Sequence, residues 1–334
     1  MILVTGATGI LGRVIVLDLL KRGEKVRATK RSSSSIEEVK HSFQYYSDRP
    51  LELFEKIEWV DADFADLKSL KEALKDVTQV YHCAGHVSFH PKDRRSMYYT
   101  NIEGTRQLLF ACENSSVKKF CFISSTSVLD GVDENGYVTE DSNYNPKLNH
   151  SAYARSKHFA EMEVWRASAE GLKTVILNPG VIIGSGNWEA SSGQMFNAFE
   201  KYPYAMSGSA AYVDVRDVAQ TAVKLMTNNI FGERYIVISE TIKIAEAANF
   251  VRQKLGKARA KILSNGILGV GYILNLFLGW LIAPLRMLSK VNIETVTSHH
   301  QISNKKIREE LDYEFIPVFE SLDFHLKNYV ADKK

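Results

Sequence analysis

Residues 1–12 read Met-Ile-Leu-Val-Thr-Gly-Ala-Thr-Gly-Ile-Leu-Gly, a short strand-like run that leads directly into a TGxxGxxG turn. Gly6 permits a tight turn, Gly9 lets the backbone approach a diphosphate, and Gly12 lets the following helix pack closely against the sheet. The unpaired N–H groups at the start of that helix favour negative charge. The stretch therefore predicts a strand–turn–helix unit that holds the diphosphate of a dinucleotide. The residues expected to contact it are Gly6, Thr8, Gly9, Ile10, Leu11 and Gly12.

The first 180 residues continue to alternate short apolar runs with amphipathic stretches. The predicted strands are 1–5, 25–30, 57–60, 78–83, 119–124 and 173–178, and the predicted helices are 10–22, 67–74, 94–114 and 152–169. Such alternation predicts an α/β fold with a Rossmann-type, doubly wound parallel sheet. Ligands of such a sheet bind at the carboxyl ends of its strands.

Beyond residue 180 the alternation is less regular. We expect residues 1–180 to form the dinucleotide-binding domain, with further core elements returning around 211–240. We expect residues 181–334 to form mainly a smaller C-terminal substrate lobe. The elements predicted within it are helices over 213–226 and 242–255 and a strand near 234–238.

The composition excludes some classes of protein. The formal net charge of +3 is too small to indicate a nucleic-acid partner. The cysteines, Cys83, Cys112 and Cys121, are odd in number and match no metal-binding spacing, so we expect buried free thiols in a reducing compartment and no metal. No signal peptide is expected before the first strand. These features predict a cytoplasmic location.

The end of the second predicted strand indicates which dinucleotide is bound. An NAD site usually has an acidic residue here that hydrogen-bonds the ribose 2′-hydroxyl. This strand ends Ala28-Thr29-Lys30-Arg31-Ser32, without an acid. Because a guanidinium suits a 2′-phosphate, Arg31 is the predicted selector of NADP(H) over NAD(H), supported by Lys30 and Ser32.

A Tyr-x-x-x-Lys pair is the predicted catalytic centre. Tyr153 and Lys157 are four residues apart, so they share one face of a helix. We expect the Lys157 ammonium to lower the pKa of the Tyr153 phenol, so that Tyr153 can exchange a proton with a substrate oxygen. Lys157 is also expected to hold the nicotinamide ribose.

Several other residues are predicted to lie around this pair. The run Ser124–Ser127 closes the fifth strand, where a serine can hydrogen-bond the reacting oxygen. The Asn101 amide is expected to anchor a water that relays protons to Lys157. The residues expected to flank the adenine and its ribose are Asp63, Phe64, Cys83, Ala84 and Gly85.

Together these motifs resemble those of the extended short-chain dehydrogenases/reductases, in the NAD-dependent epimerase/dehydratase superfamily. The matching segments, in order from residue 1 to about 220, are TGATGILG, the Asp63-Phe64 pair, YHCAG, TNIEGT, FISSTS, YARSKHFAE, NPGV and YVDVRDVA. The resemblance implies that Ser125 is the catalytic serine beside Tyr153 and Lys157. It also implies that Pro179 and Val181 line the nicotinamide, and Ser124 is placed with the cofactor contacts.

Within the superfamily, the VRATKR strand ending resembles the dihydroflavonol-reductase-like and 3β-hydroxysteroid-dehydrogenase-like branch. The resemblance implies an NADP(H)-dependent oxidoreductase that acts on a carbonyl or secondary alcohol of an apolar or ring substrate. Two alternatives stay open: an NAD-retaining nucleotide-sugar epimerase or dehydratase, and a non-catalytic NADP(H)-sensing protein. Asn178 departs from the arginine that is common before this proline in sugar-nucleotide enzymes.

Residues 266–285 form an uncharged run of twenty residues, GILGVGYILNLFLGWLIAPL. That length suffices to span a bilayer, and basic residues flank it on both sides. Three interpretations are open: a helix roofing an apolar pocket, a peripheral membrane contact with a lipid-like substrate, and a membrane span. The resemblance further implies a homodimer that pairs through the Tyr153 helix and the long helix before it.

Overall fold

The structure, a computed structural model, describes residues 1–88, 90–189, 193–278 and 288–334. Its strands are β1 (Ile2–Thr5), β2 (Val26–Lys30), β3 (Glu58–Asp61), β4 (Gln79–His82), β5 (Lys119–Ile123), β6 (Tyr137–Val138), β7 (Lys173–Pro179), β8 (Val181–Ile183), β9 (Tyr204–Ala205), β10 (Ser209–Asp214), β11 (Glu233–Val237), β12 (Glu240–Lys243), β13 (Lys261–Ile262) and β14 (Gln301–Ile302). Its helices are α1 (Ile10–Lys21), α2 (Glu37–Ser42), α3 (Pro50–Glu55), α4 (Leu67–Ala73), α5 (Arg94–Tyr98), α6 (Gly104–Glu113), α7 (Ala152–Ala169), α8 (Gln194–Lys201), α9 (Val215–Thr227), α10 (Ile244–Lys254), α11 (Asn265–Leu278), α12 (Lys290–Thr297), α13 (Lys305–Leu311) and α14 (Val318–Asp332).

A seven-stranded parallel sheet forms the centre, in the order β3-β2-β1-β4-β5-β7-β11. One hydrophobic cluster packs α1 and α9 against one face of the sheet, and a second packs α4, α6 and α7 against the other. The order of the strands reverses between β1 and β4, so a crevice opens at the carboxyl ends of these two strands. This arrangement confirms the predicted Rossmann-type, doubly wound fold.

Smaller sheets follow the central one. β10 pairs with β8 in parallel and with β12 in an antiparallel manner. A third hydrophobic cluster, which includes Phe196, Ala247 and Leu322, packs α8, α10 and α14 around this small sheet. Because β11 returns to the edge of the central sheet, the chain passes between the two regions more than once. The division at residue 180 stays a prediction.

Two predicted helices begin later than expected. Residues 213 and 214 end β10, and α9 begins at Val215 with the Asp214 carboxylate accepting from the N–H of Arg216 at 2.8 Å. Residues 242 and 243 likewise belong to β12, and α10 begins at Ile244. In both places a strand leads directly into a helix, and apolar residues of the strand fit the periodicity of the helix.

A buried polar cluster attaches α14 to the ends of β8 and β10. The His325 ring hydrogen-bonds the Ser185 hydroxyl at 2.7 Å and the Asp214 carboxylate at 3.2 Å. Arg216 also pairs with Asp214, at 2.7 Å. On α9, the Asp217 carboxylate accepts from the Tyr313 hydroxyl at 2.9 Å. The VDVRDVA segment thus connects the C-terminal helices to the end of the small sheet.

The apolar run 266–285 falls on α11 as far as residue 278, and residues 279–285 lie outside the described residues. No helix within the described ranges is both long and apolar enough to cross a membrane. Along α11 the side chains of Ile267, Val270 and Ile273 are more than half exposed, whereas Leu268 is buried.

Candidate active site and cofactor-binding site

The glycine turn after β1 has no room for side chains. Gly6 has φ +65°, and a Cβ built on it would lie 2.6 Å from the backbone nitrogen of Ala84. A Cβ on Gly12 would lie 2.2 Å from the carbonyl oxygen of Gly6. Gly9 caps α1 without a side-chain hydrogen bond. The N–H groups of the first helical turn therefore remain available to an anion, as the diphosphate of a dinucleotide requires.

An arginine that the sequence analysis did not identify supports this turn from within. Arg13 is 1% exposed, and its guanidinium donates to the carbonyl oxygens of Thr8 and Gly9. It also pairs with Glu38 on α2 at 3.1 Å. Arg13 thus connects the glycine turn to the segment after β2. The helical sequence offers no signal for this role, because Arg13 looks like an ordinary solvent-facing residue of α1.

The two cations at the end of β2 differ in their surroundings. The Lys30 ammonium is bound to Asp61 on β3 at 2.8 Å. Arg31 is exposed, and its backbone N–H approaches the Ser34 hydroxyl at 3.4 Å. Ser32 is exposed as well. Arg31 is therefore better placed than Lys30 to meet a 2′-phosphate.

The residues after β3 and β4 line the next part of the crevice. The Asp63 carboxylate accepts from the N–H of Ala65 at 2.9 Å, which forms a turn. Phe64 packs edge-on against the His82 ring, with centroids 5.7 Å apart. The N–H of Ala84 donates to the Thr5 hydroxyl at 3.3 Å, which holds the Cys83-Ala84-Gly85 turn against the end of β1. Burial raises the pKa of the Cys83 thiol to about 12, so this thiol stays protonated.

Tyr153 and Lys157 project from α7 towards these strand ends. A Cβ on Gly85 would lie 3.9 Å from Nζ of Lys157, so the lysine lies directly beside the β4 turn. Lys157 Nζ also donates to the carbonyl oxygen of Ile123 at the end of β5. Burial lowers the pKa of Lys157 to about 8, although Glu161 and Cys83 oppose this decrease.

The pKa of Tyr153 differs from the sequence-based expectation. Burial raises the pKa of this phenol above its usual value, and a hydrogen bond with Ser125 opposes the increase. The ammonium of Lys157 is engaged by Ile123 instead. Ser125 thus lies close enough to Tyr153 to affect its pKa, and Lys157 follows one turn later on α7.

Asn101 lies in a π-helical turn, Tyr99–Glu103, between α5 and α6. Its amide nitrogen donates to the Ser156 hydroxyl at 2.8 Å and to the His86 carbonyl at 3.0 Å, and its amide oxygen accepts from the N–H of His86 at 2.7 Å. The amide nitrogen of Asn101 therefore joins the loop after β4, at His86, to α7, at Ser156. The water relay through Asn101 stays a prediction.

A second buried network lies below the pair. The Ser124 hydroxyl donates to the Glu161 carboxylate at 2.6 Å, and a cofactor contact by Ser124 stays a prediction. Asn178 donates to the same carboxylate and to the Ser125 carbonyl, both at 3.1 Å. Pro179 is buried and Val181 is 38% exposed. The sequence analysis missed Glu161, although it lies four residues beyond Lys157 on the same face of α7.

Comparisons with known proteins agree with this geometry. The model of the NAD dependent epimerase/dehydratase family matches residues 2–239. The chain belongs to this family. It is an extended short-chain dehydrogenase/reductase, and hence an oxidoreductase, as the motifs predicted.

Individual family members resemble the chain over most of its length. It is 30% identical to sterol demethylase protein B of Methylococcus capsulatus over 263 residues, 78% of this chain and 76% of the relative. It is 30% identical to a putative dihydroflavonol 4-reductase of Synechocystis over 253 residues, 72% of this chain and 68% of the relative. The crystal structure of gox2253 superposes with a TM-score of 0.83 at 25% identity, covering 99% of this chain and 98% of that one. The names of the sterol and dihydroflavonol relatives confirm the predicted branch.

Proposed function

We propose that this protein is an NADP(H)-dependent oxidoreductase that reduces a carbonyl, or oxidises a secondary alcohol, of an apolar or ring substrate. The observation that carries the proposal is the meeting of Ser125, Tyr153 and Lys157 at the strand ends, beside a glycine turn with open N–H groups. The names of the relatives, which refer to sterols and dihydroflavonols, support a ring substrate.

The geometry supports a division of roles among the three residues. The Tyr153 phenol is protonated at neutral pH because burial raises its pKa, so in reduction it donates its proton to the developing alkoxide oxygen. The Ser125 hydroxyl, which hydrogen-bonds the phenol, holds that oxygen in place. Lys157, with a pKa of about 8, remains largely an ammonium at pH 7 and stabilises the phenolate after proton transfer.

The cofactor part of the proposal depends on three features of the chain. The glycine turn and the start of α1 accept the diphosphate, and Arg31 binds the 2′-phosphate. Lys157, beside Gly85, is placed to hold the nicotinamide ribose. The bound cofactor supplies or accepts the hydride at the substrate carbon. Because Lys30 is paired with Asp61, Arg31 carries the selection of NADP(H).

Nucleotide-sugar epimerisation is the second candidate. It would favour an acid after β2 and an arginine before Pro179, and this chain has Arg31 and Asn178 there. The amide nitrogen of Asn178 is also engaged inside the protein, by the Glu161 carboxylate and the Ser125 carbonyl. The other alternative, a non-catalytic NADP(H)-sensing protein, does not explain why the chain has Ser125, Tyr153 and Lys157 together.

The experiment combines a substrate panel with one variant. Purified protein is offered NADPH with a 3-ketosteroid or a dihydroflavonol, and separately UDP-glucose, and the products are identified. We expect NADPH oxidation with a ring ketone, and a loss on the order of 10²–10⁴-fold in Tyr153→Phe because the proton donor is removed. NADPH binding, followed by fluorescence, should persist in this variant.

The matched control is Tyr202→Phe, since Tyr202 is 53% exposed after α8, and this variant should turn over normally. Full turnover in Tyr153→Phe would refute the catalytic assignment. Epimerised UDP-glucose, with NAD retained by the protein, would establish the second candidate instead.

Two further parts of the proposal concern partners. We propose a homodimer formed through α6 and α7, and peripheral contact of α11 with a membrane surface that supplies a lipid-like substrate. Both rest on exposed apolar side chains on these helices.

A further inference from the structure

Glu161 is a buried carboxylate one helical turn beyond Lys157. It is 1% exposed, and Ser124 and Asn178 both donate to its Oε2, at 2.6 and 3.1 Å. Its Oε1 pairs with the guanidinium of Arg234 on β11 at 3.2 Å. A buried carboxylate is costly unless it is paired and hydrogen-bonded, and these contacts offset that cost.

The partners of Glu161 adjoin the catalytic residues directly. Ser124 precedes Ser125 in the chain, and the amide nitrogen of Asn178 also donates to the Ser125 carbonyl at 3.1 Å. Glu161 therefore fixes the turn that presents the Ser125 hydroxyl to Tyr153. Because the Glu161 side chain is 1% exposed, it acts through these partners.

Glu161 also lies on the same face of α7 as Lys157, four residues away. Lys157 is only 5% exposed, so water screens its charge little and a nearby carboxylate acts strongly on it. Glu161 is the largest influence that raises the pKa of Lys157 against the effect of burial. A single carboxylate thus serves both the serine turn and the lysine.

We propose that Glu161 is a positioning residue of the active site, which holds the Ser124–Ser125 turn and supplies the counter-charge for the Lys157 ammonium. The significance of this role for turnover rests on the proposed oxidoreductase function. The proposed effect of Glu161 on the charge of Lys157 does not depend on that function, because the charge state of Lys157 can be measured without any substrate.

The test is a pH titration by NMR of the full chain labelled with ¹³Cε-lysine, in which Lys157→Arg identifies the Lys157 signal. Glu161→Gln keeps the size and shape of the side chain and removes its charge. We expect the pKa of Lys157 to fall from about 8 by about one unit in this variant. An unchanged Lys157 pKa would overturn the proposal.

Control variants separate charge from structure. Glu163→Gln, on the same helix but paired with Arg106 and Arg166, should leave the pKa of Lys157 unchanged. Glu161→Asp keeps the charge, so the pKa of Lys157 in this variant should be close to its wild-type value. If Glu161→Gln does not fold, Arg234→Gln provides the test with the opposite sign. It leaves the Glu161 charge uncompensated, so the pKa of Lys157 should rise, and a constant value would count against the proposal.

Turnover gives a separate readout. With a ring ketone identified as substrate, Glu161→Gln should lower kcat about twofold at pH 7 and about fivefold at pH 8, with little change in KM. The basic limb of the pH profile should move down by about one unit, because the Lys157 ammonium loses its proton at lower pH. If no ketone is reduced while the Lys157 pKa still falls, the proposed function fails and the role of Glu161 stands. A profile identical to that of the wild type would remove the catalytic part of the role.

Discussion

Arg31 is the residue on which the choice of cofactor depends. Of the two cations at the end of β2, Arg31 is exposed and Lys30 is paired with Asp61, so Arg31 is the better placed for a 2′-phosphate. Arg31→Ala should therefore weaken NADPH binding by roughly 10–100-fold, the value of a charge-assisted hydrogen-bond set, and change NADH binding little. Fluorescence titration of both cofactors measures this. Lys30→Ala is the matched control and should have a smaller effect, and equal loss for NADH in Arg31→Ala would contradict the assignment.

Residues differ in how far the sequence reveals their roles. The glycine turn and the Tyr153–Lys157 pair were predictable because each has a fixed spacing that the chemistry requires. Arg13 and Glu161 were not, since a charged residue on a helix gives no local sign of being buried. The expected lowering of the Tyr153 pKa was likewise wrong in direction, because burial depends on tertiary packing that a spacing does not contain.

At the scale of elements, α6 and α7 present a face that nothing else in the described structure covers. Phe110 on α6 and Phe159 and Met162 on α7 are each more than 40% exposed. Arg106 on α6 pairs with Glu163 on α7 at 2.9 Å. Phe110 and Phe159 each lie one helical turn from this ion pair, so the exposed apolar side chains of the two helices lie next to each other. A second copy of this chain is the occupant we propose for this face, since exposed apolar side chains lie beside the charged Arg106–Glu163 pair.

The prediction for this face is a dimer that a single charge disrupts. The wild type should have the mass of a dimer in light scattering at micromolar concentration, and Phe159→Glu should shift it towards the monomer because a buried carboxylate in the interface would be unpaired. Phe319→Glu changes a similarly exposed phenylalanine on α14 and should remain dimeric. A monomeric wild type would show that the dimer prediction is wrong.

The starts of elements were predictable only where a clear signal marks them. α7 begins and ends where expected, and Ser151 caps it by accepting from the N–H of Ala154 at 3.1 Å. β8, β10 and β12 were not predicted as a sheet, because strands of three to six residues between loops and helices show no extended alternation. Their pairing depends on distant partners, which a local pattern does not specify.

At the scale of the molecule, the parallel order of the central sheet followed from the alternation of strands and helices, since crossovers and strand twist allow few arrangements. The sequence pattern near 234–238 predicted β11 as a strand. It did not predict that β11 pairs with β7. The attachment of α14 through His325 and Asp214 joins residues 111 apart in sequence, and such contacts have no sequence signature.

The last prediction concerns how the whole molecule meets its substrate. Ile267, Val270 and Ile273 on α11 are 59%, 59% and 54% exposed, and Arg259 and Lys261 precede them on the surface. Apolar side chains next to cations suit an anionic lipid surface. We expect the protein to float with vesicles of phosphatidylcholine and phosphatidylserine and to float less with phosphatidylcholine alone. Ile267→Glu with Ile273→Glu should reduce binding about tenfold or more.

Leu51→Glu, on α3 and 52% exposed, is the control for a charge placed elsewhere, and it should bind as the wild type does. Equal flotation of the α11 variant and the wild type would show that α11 is not the contact. In that case the exposed side chains of α11 would be left for another partner, and a lipid-like substrate would have to reach the Ser125, Tyr153 and Lys157 centre through water. Because sterol-sized ketones partition strongly into bilayers, turnover that does not respond to added vesicles would further separate the enzyme from the membrane.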